Sequence, residues 1–360
     1  MPRADHRSFV ERLWYGDDGV ARVARLALAP AAATYRGVSS LRGALYDRGV
    51  LRSHELPIPA VSVGNLTVGG TGKTPVAAWV ASELVSRGAR ASVVLRGYGD
   101  DEPAVHARLN PEAIVVANPD RVAGVELAAA RGADVAVLDD AFQHRRARRA
   151  ADIVLLSADL WPAHVRLLPA GPFREPLSAL SRASLALVTR KAATPEAAAV
   201  VERAIGEAAP GLSVARAHLA PDALVDVRDG TRTALAEFRG RKVLAICGVG
   251  DPAAFRAQLA AAGGDVVVRA FPDHHPFSDA EIASLAAEAR GVTRAGGLVV
   301  CTLKDAVKLS SRWPSGTAAL SYVSQHVILE SGHEALDRLL TSVLHARRSG
   351  ASAPGRHTRI

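Results

Sequence analysis

The sequence predicts an α/β protein: a mostly parallel sheet of the P-loop type covered by helices, joined to a second, smaller α/β domain. Three observations carry this. Apolar runs at 60–63, 91–95, 113–116, 135–138, 153–156 and 185–188 are mostly continuous in Val, Ile, Leu and Ala, as strands buried on both faces of a parallel sheet are. The stretch VSVGNLTVGGTGKTP, 61–75, crowds glycines between the first run and a helical segment. The alternation then restarts near Lys242, with 243–246, 266–269, 298–301 and 327–329 as strands and 253–262 and 279–289 as helices.

Taken in order, the chain opens on MPRADHRSFV, which has no apolar signal core. The uncharged stretch 26–35 is too short for a bilayer, which takes ~20 apolar residues. Arg22, Arg25, Arg36 and Arg42 flank Trp14, Leu26, Leu28 and Tyr35. That mixture suits an interfacial anchor and equally an amphipathic helix packed on the body. The segment 75–87 reads as a helix, with Pro75 in its first turn, Val80, Leu84 and Val85 apolar, and Gly88 just past its end. The stretch 210–240 is less regular and holds the turn signal Asp229-Gly230, so the domain junction is placed there. Residues 334–346 read as a closing amphipathic helix, and the basic tail 347–360 as mobile. The expected division is 1–56 (N-terminal helical segment), 57–225 (P-loop domain), 226–335 (second α/β domain) and 336–360 (closing helix and tail).

Composition narrows the class. With 49% hydrophobic and 22% charged residues the chain is globular, not disordered. Its 44 Lys and Arg against 36 Asp and Glu give a formal net charge of +8. Such an excess favours an anionic partner or reflects a basic proteome. Cys247 and Cys301 each end an apolar run, outside any metal-type cluster, and read as small core residues in a reducing compartment.

The chemistry-bearing stretches follow from position. Gly69, Gly70 and Gly72 let the backbone turn tightly and aim its N–H groups inward. Lys73 can reach the β- and γ-phosphates, and the Thr74 hydroxyl can bind Mg²⁺ at the helix N-terminus. The strict G-x-x-x-x-G-K-[ST] pattern is not met: its first glycine would fall on Thr67, and the nearest earlier glycine is Gly64. One strand further on, Asp139 and Asp140 end the run 135–138, where P-loop enzymes place a metal-assisting acid, with Gln143 close by. Arg145, Arg146, Arg148 and Arg149 can meet phosphates or form a solvated face; sequence leaves both open.

Together these stretches resemble the lipid A 4'-kinase family. The matching pieces, in the family's order, are Gly64-Asn65-Leu66-Thr67 with the glycine-rich run 69–75, Arg96-Gly97-Tyr98-Gly99, Asp101-Glu102-Pro103, Asp139-Asp140 with Phe142-Gln143-His144, and Leu168-Pro169-Ala170-Gly171-Pro172 with Arg174-Glu175. Asp273-His274-His275 with Phe277 and Lys304-Asp305-Ala306-Val307-Lys308 complete the set. The resemblance implies transfer of the γ-phosphate of ATP to the 4'-hydroxyl of a tetraacylated glucosamine disaccharide 1-phosphate, with Mg²⁺. It implies work at the cytoplasmic face of the bacterial inner membrane, on an anionic surface, as a peripheral or monotopic protein. It also implies two α/β domains with a cleft between them, an N-terminal membrane-associating helix, no nucleic acid and no protein partner. Carried over, Thr67, Gly69, Gly70, Thr71, Gly72, Lys73, Thr74 and Gln143 bind the nucleotide; Thr74, Asp139 and Asp140 hold the metal; Asp101 is the general base and His274 its partner. A sugar hydroxyl is a poor nucleophile and needs a carboxylate to accept its proton. With Asp101 and His274 in different expected domains, their dyad would form on closure. The chain departs from the family in three places: only Asp100 separates Gly99 from Asp101, which makes Asp100 the alternative base; Ala141 stands where glycine is usual; and Ala150 replaces an acid.

Three rivals have distinct signatures. A GTPase wants Asn-Lys-x-Asp, and Thr302-Leu303-Lys304-Asp305 does not match it. A membrane-associated, partner-driven P-loop ATPase shares the glycine loop but has no use for the Asp-Glu-Pro and Asp-His-His stretches. A nucleic-acid-binding ATPase rests on net charge alone and lacks a binding module.

Overall fold

The structure, a computed structural model, describes residues 9–97, 101–249, 252–272 and 275–350. In chain order the strands are β1 (Ala60–Asn65), β2 (Ala91–Leu95), β3 (Ile114–Ala117), β4 (Val135–Asp139), β5 (Ala151–Ser157), β6 (Leu185–Arg190), β7 (Val214–Asp226), β8 (Arg232–Ala234), β9 (Lys242–Cys247), β10 (Asp265–Ala270), β11 (Leu298–Cys301) and β12 (Leu320–Ser331). The helices are α1 (Phe9–Tyr15), α2 (Gly19–Asp47), α3 (Lys73–Ser86), α4 (Asp101–Leu109), α5 (Arg121–Ala130), α6 (Pro195–Ala208), α7 (Pro252–Ala261), α8 (Asp279–Arg294), α9 (Leu303–Leu309) and α10 (His333–Gly350). Contacts group the chain into two compact units. The first holds residues up to 96, 112–218 and those from 329 onward; the second holds 97–111 and 219–328. Helix α4, which carries Asp101 and lies within 57–225 in sequence, is therefore part of the second unit.

In the first unit the strand order is β6-β5-β1-β4-β2-β3, all parallel, with the start of β7 pairing parallel to β6 from Val214 to His218. Every residue of β1, β2 and β4 is buried, which is why these runs carry no polar alternation. Strand β1 is flanked by β4 and β5, so its C-terminal end opens between two strand ends, the usual place for a ligand in an open parallel sheet. In the second unit β10, β9, β11 and β12 run parallel, and β8 pairs antiparallel with the end of β7. Alternate residues of β9 feed two cores: Leu244 and Ile246 join Phe277, Leu285 and Trp313, while Val243, Ala245 and Cys247 join Phe238, Phe255 and Leu259. Cys247 and Cys301 are free and buried. Burial pushes the Cys247 thiol up to about 11 and the Cys301 thiol well above its ordinary value.

The stretch 210–240, expected to be irregular, contains the 13-residue strand β7. Its exposed and half-exposed positions hold Arg216, His218, Pro221 and Asp222, which break up any apolar run. Strand β12 begins at Leu320, not near 327, for the same reason: Ser321, Ser324, Gln325 and His326 interrupt it. Helix α10 continues to Gly350, so 347–350, expected to belong to a mobile tail, are helical; Arg347 pairs with Asp134 at 3.3 Å and donates to the Gly88 carbonyl at 3.2 Å.

Helix α2 starts at Asp18, whose carboxylate accepts the Ala21 N–H at 3.0 Å. Its Arg25 is buried and donates to the carbonyls of Leu13 and Gly16. Val20, Val23 and Leu26, and further along Val38 and Leu41, are exposed and spaced by three, which puts each set on one helix face. No helix among the described residues is long and apolar enough to cross a membrane.

Candidate active site

The glycine-rich stretch forms a loop between β1 and α3. Gly69 (φ +115°) and Gly72 (φ +86°) hold left-handed backbone that a side chain would strain. Gly72 stands at the N-cap of α3 without a side-chain cap, so the first N–H groups of a 14-residue helix lack that partner. That is the electrostatic setting an anion takes. Thr71 is buried and pinned twice: Asn65 Nδ2 donates to its hydroxyl at 2.9 Å, and the Thr189 hydroxyl donates to its carbonyl at 2.9 Å. The other rim of the loop is the 166–174 segment. Val68 N–H donates to the Pro172 carbonyl at 2.8 Å and Arg174 N–H to the Leu66 carbonyl at 2.7 Å.

Gly64 is not part of this cradle. A Cβ there would meet the Phe142 Cβ at 2.6 Å and its backbone nitrogen at 2.8 Å. The glycine lets the turn after β4 press against β1. The sequence pattern thus holds two kinds of glycine, one set shaping the loop and one permitting close packing.

That turn brings in the acids. Asp139 ends β4, and its carbonyl accepts from buried Arg121 at 3.1 Å. Asp140 follows in left-handed backbone (φ +50°), a region Asp tolerates better than most residues. Its two carboxylate oxygens lie 3.1 and 3.2 Å from Arg174 Nη1, and one lies 3.9 Å from Lys73 Nζ. Gln143 Nε2 donates to the Asn65 carbonyl at 2.9 Å, while its Oε1 is buried with no hydrogen-bond partner and can accept from a bound nucleotide or water. Among the described residues no three His, Cys, Asp or Glu side chains converge on a protein-only cation site. Thr74, Asp139 and Asp140 nonetheless offer the hard oxygen donors that magnesium takes, and magnesium fills the rest of its shell from phosphate and water. The donor set fits that ion.

The arginine run is committed elsewhere. Arg145 bonds Asp47 at 2.6 Å and the Gly43 carbonyl at 3.0 Å; Arg146 bonds Asp120 at 2.9 Å; Arg148 bonds Glu55; Arg149 bonds Asp152 at 2.8 Å. These arginines neither line the phosphate loop as a group nor form a plain solvated face. Arg145 also stacks on Tyr46 of α2, 5.1 Å from the ring centroid. Two further α2 side chains hold carbonyls next to the site: the Tyr35 hydroxyl donates to Arg174 at 3.0 Å and Arg42 to Gln143 at 3.1 Å. His144 is half-buried; desolvation, with Arg121 beside it, lowers its pKa to about 4.

In the second unit Asp101 opens α4 with a buried carboxylate, 3.1 Å from Lys308 Nζ on α9. Asp305, also on α9, is fully buried and takes the Gly248 N–H at 3.0 Å and the Thr302 hydroxyl at 2.6 Å, so it is turned inward. A Cβ on Gly248 would crowd Asp305 Oδ1 at 3.0 Å and the Pro272 carbonyl at 3.2 Å. The Pro272 carbonyl and His275 therefore lie close to Gly248, whose N–H Asp305 holds. His275 stacks on Phe271 and bonds Glu281 at 3.0 Å. Asp100, Asp273 and His274 lie outside the described residues. Sequence reading did not assign Arg121, Arg174, Asn65, Thr189 or Lys308 to a site. Asn65, Arg174 and Lys308 stood within recognisable motifs; Arg121 and Thr189 carried no local signal.

The family model for tetraacyldisaccharide-1-P 4'-kinase matches residues 24–345. The chain belongs to that family. A tetraacyldisaccharide 4'-kinase of Anaeromyxobacter sp. (strain Fw109-5) is 42% identical over 338 residues, covering 84% of this chain and 88% of the relative. One from Chlorobaculum parvum is 37% identical over 358 residues, covering 91% and 97%. Among solved structures, the family member from Aquifex aeolicus, crystallised in complex with ATP, superposes with a TM-score of 0.71 at 30% identity, covering 89% of this chain and 99% of that one. The α/β fold is thus one this chain shares with that structure.

Proposed function

We propose that the protein transfers the γ-phosphate of ATP to the 4'-hydroxyl of tetraacyldisaccharide 1-phosphate. The observation that carries this reading is the phosphate cradle at the N-terminus of α3, with Lys73, Asp140 and Arg174 in one ion-pair cluster, in a chain of this family. Thr67, Gly69, Gly70, Thr71 and Gly72 shape the loop around the nucleotide phosphates, Lys73 exchanges Asp140 for phosphate oxygens, and Gln143 offers its buried acceptor. Thr74, Asp139 and Asp140 would hold magnesium, which would supply charge neutralisation at the nucleotide phosphates. Asp101 accepts the proton of the 4'-hydroxyl as its oxygen bonds to phosphorus and the bond to the ADP oxygen breaks. His274 orients that carboxylate.

The N-terminal segment associates with the cytoplasmic face of the bacterial inner membrane. The exposed apolar positions of α2 support a peripheral or monotopic attachment, and the net positive charge supports an anionic surface. The deciding experiment is transfer of radiolabelled phosphate from ATP to tetraacyldisaccharide 1-phosphate in detergent micelles. Labelled lipid that depends on Lys73 and Asp101 is the expected result. ATP hydrolysis without labelled lipid would overturn it in favour of a partner-driven ATPase.

A further inference from the structure

The stretch Lys304-Asp305-Ala306-Val307-Lys308 belongs to the second unit and lies away from the glycine loop in sequence, yet its geometry converges on the carboxylate assigned as base. Asp305 and Lys308 are three residues apart, on one face of α9. Asp305 locks the start of that helix. Its backbone N–H bonds the Thr302 hydroxyl at 3.3 Å, and its buried carboxylate takes both that hydroxyl and the Gly248 N–H. A Cβ on Gly248 would press against Asp305 Oδ1 and the Pro272 carbonyl. With the helix start held this closely to the end of β9, the next turn delivers Lys308 to a defined point.

At that point stands Asp101. The Lys308 ammonium is buried, with no hydrogen bond of good geometry, and its carboxylate neighbour within 4 Å is Asp101 Oδ2 at 3.1 Å. A buried ammonium and a buried carboxylate each need a counter-charge, and desolvation makes that need stronger than at a surface. Each supplies it to the other. Holding Oδ2 also sets the bearing of the second carboxylate oxygen, and a base acts only when it is aimed at the proton it takes. Arg108, on the same helix as Asp101, is occupied elsewhere, donating to the Val227 carbonyl and lying over Tyr322.

We propose that Lys308 is a positioning residue for phosphoryl transfer, acting through Asp101; this rests on the reading of Asp101 as general base. In the step itself the 4'-hydroxyl proton passes to the Asp101 carboxylate, the new oxygen–phosphorus bond forms, and the bond from the γ-phosphorus to ADP breaks. Lys308 neither gains nor loses a proton.

The test is a double-mutant cycle read by kcat and KM for ATP with the lipid acceptor in micelles. Lys308→Met should lower kcat by about thirtyfold with KM for ATP within about twofold, and Lys308→Arg should restore most of the loss. Placed on Asp101→Asn, Lys308→Met should cost no more than about a further twofold, because the group it acts through is already gone. Wild-type kcat in Lys308→Met, an undiminished second loss in the double variant, or a change confined to KM would each overturn the inference. Near-wild-type turnover in Asp101→Asn alone would instead remove the base reading, and the inference with it. Thermal melts check folding; should Lys308→Met not fold, Lys308→Gln carries the same cycle.

Discussion

Two lysine–aspartate pairs, one in each unit, are built to opposite specifications. Lys73 and Asp140 stand 3.9 Å apart, the aspartate side chain is 36% exposed, and Arg174 shares its carboxylate. Lys308 and Asp101 stand 3.1 Å apart, and the aspartate side chain is 3% exposed. The lysines are almost equally shielded, so the contrast lies in the acids. A loose, partly hydrated pair can be exchanged for phosphate at little cost. A desolvated pair cannot be opened without stranding a charge. On the proposed reading, the first is a contact that substrate would replace, and the second would persist through turnover and hold Asp101 in place.

Substitutions can break this contrast in graded ways. Lys73→Met should lower kcat on the order of a thousandfold, as loss of a phosphate-stabilising cation does, yet leave the melting temperature nearly unchanged. A large fall in melting temperature would show that the pair is structural. Asp101→Asn should lower kcat about a hundredfold and also destabilise the fold by about 2 kcal/mol or more, since Lys308 loses its buried counter-charge; chemical denaturation with activity assays on one preparation separates the two effects. Gly64→Ala, which forces a Cβ into Phe142, should cost about 1–3 kcal/mol and disturb the Asp139–Asp140 turn, read as a lower melting temperature and weaker nucleotide binding.

The smallest effect is with pH and sharpens the comparison of the units. His144, in the first unit, has its pKa lowered from 6.5 to about 4, chiefly by burial. Above pH 6.5 it is neutral whether folded or not, and its contribution is complete. Between pH 6.5 and about 4 the unfolded chain takes a proton that the folded chain resists, and stability falls. Glu281, in the second unit, is lowered from 4.5 to about 2, first by its hydrogen bond to the Ser278 backbone. Its contribution is complete above pH 4.5 and is lost as pH falls toward 2. At pH 5 hydrogen exchange, corrected for intrinsic rate, should therefore rise around His144 while the start of α8 stays protected. Equal loosening at both would contradict the assignment.

The first unit's parallel strands and the glycine loop were legible because both are written locally: buried strands in unbroken apolar runs, the loop as glycines between a strand and a helix. Strand β7 was not, because Arg216, His218 and Asp222 on its more exposed positions give it the profile of a loop. The partners of the acids were hidden for a different reason. Arg174 lies 34 residues beyond Asp140, and Lys308 meets Asp101 across most of the chain; only the folded path decides those meetings. Gly64 shows a subtler limit, since the letter pattern could not say whether a glycine serves a turn or a neighbour's bulk.

The arginines at 145, 146, 148 and 149 also change how the formal charge of +8 should be read. Each is joined to an acid contributed by another segment or a neighbouring strand. Seen from farther than a Debye length, such couples fade to dipoles. This stretch would therefore add little to a field drawing the molecule toward a negatively charged surface, and the ionic-strength dependence of such an approach would count fewer cations than the composition suggests.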